Sequence, residues 1–147
     1  MPEALRIVYA NGLPVSIPEE LPEGLSVMDM EDFVLQCPDT ARKYLETETE
    51  TLGSEKLSAL TTALQHNGLV IMADREISLP LEILHFISGD NVAVFPSTLL
   101  IAETGSRLHI LERHLSADHG RQFCGALQQY HLSSASSVKY ALVQELN

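Results

Sequence analysis

The residues of this chain best suited to chemistry near neutral pH are its 6 histidines and 2 cysteines. Three of the histidines, His109, His114 and His119, recur every five residues, and Cys124 continues the series. A step of five places successive members on opposite faces of a strand, or roughly 140° apart on a helix. Zinc sites favour shorter pairings such as Cys-x-x-Cys or His-x-x-x-His, and neither is present. The spacing therefore implies outward-facing or loop histidines rather than ligands. A cupin-like, metal-dependent β-fold enzyme would use two histidines one residue apart and a later glutamate. No His-x-His exists, and His109 with Glu112 does not replace it.

Nucleophile and phosphate motifs are absent as well. There is no Gly-x-Ser-x-Gly elbow and no Gly-rich nucleotide loop. Cys124 lies in a strand-like stretch and reads as a small buried residue, although His119 and Arg121 nearby could lower its thiol pKa. Cys37, at a helix end on the apolar side, reads as inert. On these motifs no catalytic, cofactor-binding or metal residue and no bound cofactor is assigned.

The elements that carry these residues follow from pattern. LRIVYANGLPVSI, residues 5–17, places Asn11-Gly12 between two β-prone runs, the signature of a type I′ hairpin. Pro14 and Pro18 confine the second arm to an edge. Pro18, Pro22 and Gly24 then mark a loop. Asp29 can cap a helix over MEDFVLQC with Met30, Phe33 and Val34 on one face. Pro38 opens the next helix, where Ala41, Tyr44 and Leu45 repeat at helical spacing. The alternating acid–threonine tract Glu46 to Thr51 reads as a solvated loop. A third helix starts near Ser54, lined by Leu57, Leu60 and Leu64, with Asn67-Gly68 as a left-handed cap.

Beyond Leu69 the period becomes two. Strands are expected over 69–73, 81–87, 91–95, 99–102, 108–111, 125–127 and 138–143. A faint repeat sets ETGSRLHI (103–110) over SSASSVKY (133–140), thirty positions later. It aligns Gly105 with Ala135, Leu108 with Val138, His109 with Lys139 and Ile110 with Tyr140. DREISL (74–79) stands about one repeat earlier, with Ile77 and Leu79 as its inward pair. A repeat of this length made of short strands points to a parallel β-helix, a solenoid. A hairpin-built sandwich is the competitor, but the later connections lack Asn-Gly and Asp-Gly turns. Leu108, Ile110, Val138 and Tyr140 are the expected core.

Charge narrows the function. The chain has 147 residues, 20 Asp and Glu against 9 Lys and Arg, and a formal net charge of −11. Residues 1–60 carry −8 of it and residues 61–147 carry −3. Such a surface repels phosphate backbones and anionic lipid, which excludes nucleic acid and a polybasic membrane anchor as partners. The opening MPEALRIVYA lacks a secretory pattern, and no apolar run approaches the ~20 residues of a membrane span. The chain reads as soluble, reduced and cytoplasmic.

The order of segments resembles the SufB/SufD family of iron–sulfur cluster assembly proteins, and its SufD branch more closely. The Asn11-Gly12 hairpin, MEDFVLQCPDTARKYLE, and LSALTTALQHNGLVIMA follow the family's N-terminal order. ISLPLEILHFISG is similar to its strand carrying Pro-Ile-His-Leu-Leu, with Glu82 at the histidine position. FPSTLLIAETGSRLHILERH and QFCGALQQYHLSSASSVKYALVQE resemble its successive rungs. SufB proteins tend to carry an N-terminal cysteine cluster, which these residues lack. Family members run to several hundred residues, so the resemblance implies an N-terminal fragment. It implies a mainly β fold with a small α/β N-terminal region, residues 1–66, and the start of a right-handed parallel β-helix over 67–147. The implied role is that of a non-enzymatic, SufD-like scaffold acting with SufB-like and SufC-like (ATPase) subunits. No functional residue carries over, because the family's later rungs and C-terminal helices have no counterpart here. A small metal-dependent enzyme and a stand-alone interaction module are the alternative readings. An open solenoid end further implies self-association, as a homodimer or aggregate, near Val138 to Val143.

Overall fold

The Asn11-Gly12 turn closes as its residue types require. The computed structural model, which describes residues 3–46, 53–65 and 67–147, joins β1 (Leu5–Ala10) antiparallel to β2 (Leu13–Ser16). Asn11 and Gly12 have φ of 49° and 81°, the pair of positive values that a type I′ turn needs. β2 bonds only to β1 and forms a sheet edge, the place where Pro14 costs no ladder bond. β3 (Leu25–Asp29) follows. The Pro/Gly-rich approach to it reads only as a loop in the sequence. The acid–threonine tract, apart from Glu46, lies outside the described residues.

Three helices come next among the described residues. α1 (Met30–Gln36) is capped by Asp29, whose Oδ1 accepts from the Asp32 N–H at 2.7 Å. α2 (Pro38–Leu45) begins on its proline. Their inward stripe is narrower than expected. Phe33, Ala41 and Tyr44 are buried, whereas Val34 and Leu45 are exposed, because short helices touch the sheet along a single line. α3 (Glu55–Leu64) departs further. Leu57, Leu60 and Leu64 are all exposed, and the buried residue is Thr61, whose hydroxyl donates to the Gly125 carbonyl at 2.9 Å. Leu57 and Leu60 instead line the rim of a groove beside Phe123 and Cys124. The expected left-handed cap at Asn67-Gly68 does not form. Extended Gln65 ends the helix, and Gly68 already belongs to β4. A Cβ on Gly68 would meet Ser97 Oγ at 2.7 Å, so glycine serves close packing there.

The remaining strands are β4 (Gly68–Ala73), β5 (Leu81–Ile87), β6 (Val92–Val94), β7 (Ser97–Ala102), β8 (Arg107–Ser116), β9 (Gln122–Cys124), β10 (Leu127–Leu132) and β11 (Ser137–Glu145). Among the described residues, they and β1 to β3 form three sheets, ordered β11-β8-β5-β1-β2, β10-β7-β4-β3 and β6-β9. The fold is mostly β with mixed and parallel pairing. β4 to β11 pair only in parallel among themselves, with Gly68 beside Ser97, Leu81 beside Ile110, Val92 beside Gln122 and Arg107 beside Ser137. Neighbours across each ladder are thus about thirty residues apart in the chain. β1 and β3 extend the two larger sheets at the other side. The stretch 125–127, expected as a strand, is mostly the corner between β9 and β10.

The internal repeat is the ladder register itself. Leu108 pairs with Val138, His109 with Lys139 and Ile110 with Tyr140. Gly105 and Ala135 both turn with positive φ, 76° and 57°. The earlier segment conforms only partly. Glu76 bridges to Arg107 and Leu81 pairs with Ile110, so the first stretch holds extra residues that must loop out. Ile77 stays buried, but Leu79 is exposed rather than inward.

Two apolar clusters result. The one enclosed by the strands includes Ile7, Leu25, Ile71, Ile83, Leu100 and Leu108. The other lies between the opposite face of β4 and β7 and the helices, with Phe33, Ala41, Tyr44, Val70, Leu99 and Ile101. Burial on both faces explains why β4 and β7 are apolar without alternation. Val138 and Tyr140, expected in the core, are half-buried against the first cluster because β11 ends its sheet. No helix among the described residues is long and apolar enough to cross a membrane.

Candidate functional site

β8 alternates strictly. Leu108, Ile110, Glu112 and His114 all point inward and are buried, while His109 is exposed. The apolar interior therefore receives a carboxylate and an imidazole from one strand. Parallel pairing adds a second imidazole, because His85 of β5 lies beside His114. Tyr9 of β1 lies beside His85. The three rings form a column, with Tyr9 stacked on His85 at 5.1 Å between centroids and His85 edge-on to His114 at 4.9 Å.

Glu112 is the hub. Its Oε1 lies 2.7 Å from His114 Nε2 and 3.3 Å from His85 Nε2. The Tyr140 hydroxyl donates to Oε2. Gln128 Nε2 reaches Oε1 at 3.5 Å. On the other side of the ring, His114 Nδ1 contacts Cys124 Sγ at 3.3 Å. His85 Nε2 is buried and makes no hydrogen bond, despite its closeness to Glu112.

The electrostatics follow from this wiring. Burial alone would raise the Glu112 pKa, but the contacts from His114, His85 and Tyr140 outweigh it and hold the group down to about 2. Burial would lower His114, yet its contacts with Cys124 and Glu112 push it up to about 9. Burial, and then the Glu112 charge, raise Tyr140. Tyr9 is pushed up to about 12, chiefly by burial, then by Asp29 and Glu112. The interior thus holds a carboxylate and an imidazolium in direct contact, with tyrosines kept neutral. One ligand atom from each of His85, Glu112 and His114 lies within 4.8 Å of the others.

The structure separates the three evenly spaced histidines. His109 faces outward, and His119 is exposed in the corner after β8. His114 is fully buried, which corrects the expectation of an outward or loop residue. That expectation ended the strand at Leu111, and β8 continues to Ser116. Cys124 is half-buried, and the imidazole in contact with it is His114. Arg121 is turned to solvent and pairs with Asp90 at 3.5 Å. Cys37, between α1 and α2, packs against the outer apolar cluster and is a free thiol like Cys124. No spacing in the linear sequence marks His85 or Tyr140 as a polar-site residue. The signal for Glu112 and His114 was the period-two stripe begun by Leu108 and Ile110.

No protein-family model matches the chain. Over 97 residues, or 65% of its length, the chain is 31% identical to a protein of Mycobacterium bovis described as an iron–sulfur cluster assembly SufBD family protein. The same identity and extent hold for proteins of that description from two strains of Mycobacterium tuberculosis. The match spans only 11% of the length of each relative. This similarity supports a relationship to the SufBD family and does not single out its SufD branch.

Proposed function

We propose that this chain is the N-terminal part of a SufD-like, non-enzymatic scaffold for iron–sulfur cluster assembly in the cytoplasm. In that role it works with a SufB-like subunit and a SufC-like ATPase. The observation that carries the reading is the 31% identity over 97 residues to SufBD family proteins. The architecture agrees with it. Parallel ladders in three sheets repeat at about thirty residues, the spacing expected of successive turns of a right-handed β-helix over residues 67–147. Residues 1–66 then act as its α/β cap, with β1 and β3 as the first strands of the stack. At the opposite side, Tyr130, Leu132 and Leu142 are exposed where a further turn would cover them. A second copy pairing through β11 is the homodimer form of the same idea.

The test is co-purification. The product of the complete open reading frame encoding these residues, tagged and isolated from its own cell, is expected to bring down an ABC-type ATPase and a second SufBD-type subunit. Repeated recovery without either would sink the proposal. Loss of the parallel β signature in far-UV circular dichroism, in favour of mainly helix, would sink the fold beneath it.

A further inference from the structure

One feature of the interior is unexplained by its hydrogen bonding. The His85 side chain is 7% exposed. Its Nε2 has no hydrogen-bond partner, yet it lies 3.3 Å from the same carboxylate oxygen that His114 engages. Buried polar atoms are normally satisfied. Here three ligand-type side chains converge and one keeps an unused lone pair or proton.

We propose that His85, Glu112 and His114 form a binding site for one divalent transition-metal ion of the zinc or ferrous class. Two imidazoles and one carboxylate are the donor set of His₂Glu zinc sites and of non-haem iron sites. Nitrogen donors disfavour magnesium and calcium, which take oxygen. Bonds of about 2.0–2.1 Å at tetrahedral angles place donor atoms roughly 3.3 Å apart. His85 Nε2 and Glu112 Oε1 already have that separation. His114 Nε2, at 2.7 Å from Oε1, needs to open by roughly half an ångström, the shift expected when a cation replaces a bridging proton.

The surroundings are arranged as an outer shell would be. Tyr140 engages Oε2 and leaves Oε1 for the ion. Cys124 contacts His114 Nδ1 and presents Nε2 inward, and such contacts orient metal-bound histidines. Tyr9 stacks on His85 and holds its ring plane. All three donors stand on paired strands, not loops. A groove of about 340 Å³ beside α3, lined in part by Cys124, Gln128, Phe123 and Leu142, lies next to the cluster's outer contacts. Gln128 and Cys124 each touch both the groove and the cluster.

This inference stands independently of the SufBD reading. Its test uses the reduced, chelator-treated chain, titrated with Co²⁺ and then Zn²⁺. The expected result is one Co²⁺ per chain with visible ligand-field absorption, displaced by Zn²⁺. X-ray absorption of the zinc form is expected to show nitrogen and oxygen at about 2.0–2.1 Å without sulfur at about 2.3 Å. His85→Gln and Glu112→Gln, checked for folding by circular dichroism, are expected to weaken binding at least roughly a hundredfold. Cys124→Ser is expected to weaken it about tenfold, as an outer contact does. Absence of Co²⁺ and Zn²⁺ uptake overturns the site, as does a sulfur-containing shell or undiminished binding by His85→Gln. Stoichiometry and shell are read on the unmodified chain, so a misfolded variant does not shelter the proposal.

Discussion

Glu112 has to do two things at once in an apolar interior. It balances the His114 cation and it receives the Tyr140 hydroxyl. Removing one member of a buried ion pair strands the other, which typically costs about 3–5 kcal/mol. Glu112→Ala in the metal-free chain is therefore expected to lose stability of that order, measured by urea unfolding. His109→Ala, on the opposite face of the same strand, is expected to change it by less than about 0.5 kcal/mol. The contrast was half visible in the sequence. Leu108 and Ile110 announced the inward face, and parity assigns Glu112 and His114 to it. Polarity argued the other way, because a charged residue inside a core is rare and reads as the end of a strand. His85 was harder still, since its partner is 29 residues away and only the ladder register reveals it.

At the level of elements, local rules succeeded where a single residue type decides the geometry. The hairpin turn, the Asp29 cap and the proline start of α2 needed no tertiary information. Asp29→Ala is expected to cost about 1 kcal/mol in thermal or urea unfolding, for the loss of the Asp32 N–H acceptor. The helix faces were less legible, because what a stripe packs against is settled by the width of the opposing sheet. β6 and β9 are three residues each, too small to cover the α3 leucines. The corners on either side of that small sheet depend on Asp118. Its carboxylate accepts from the N–H groups of Gly89 at 2.7 Å and Gly120 at 3.0 Å, and from Gln122 at 2.8 Å. The two backbone bonds lower its pKa. A depressed carboxylate contributes stability above its unfolded pKa of about 3.9 and loses it as pH falls through the lower folded value. Protection of the Gly89 and Gly120 amides, measured by NMR against their intrinsic exchange rates, is expected to fall below about pH 4. Asp118→Asn is expected to remove that dependence.

At the scale of the whole molecule, the interior is closed at one side and open at the other. β3 and the β1–β2 hairpin cover the first strands, whereas β10 and β11 leave Tyr130, Leu132, Leu142 and Val143 exposed. Unpaired strand edges with apolar side chains invite pairing with another chain. Light scattering at rising concentration is expected to show self-association, and the pair Leu142→Lys with Val143→Lys is expected to return the chain to a monomer. A monomer at high concentration without those changes contradicts the prediction.

The ladder between β1 and β5 also sets an order of events in time. Leu5 lies beside Leu81, 76 residues away, while the strands from β4 onward meet partners only about thirty residues distant. Closing the longer loop costs roughly 0.8 kcal/mol more chain entropy, and distant pairings slow folding. The later strands should therefore zip first, with the N-terminal hairpin docking last and undocking first. Pulse-labelled hydrogen exchange would register this as early protection of β8 and late protection of β1. Until that final step, Tyr9 does not lie over His85, and the polar interior stays reachable from the N-terminal side during every folding cycle.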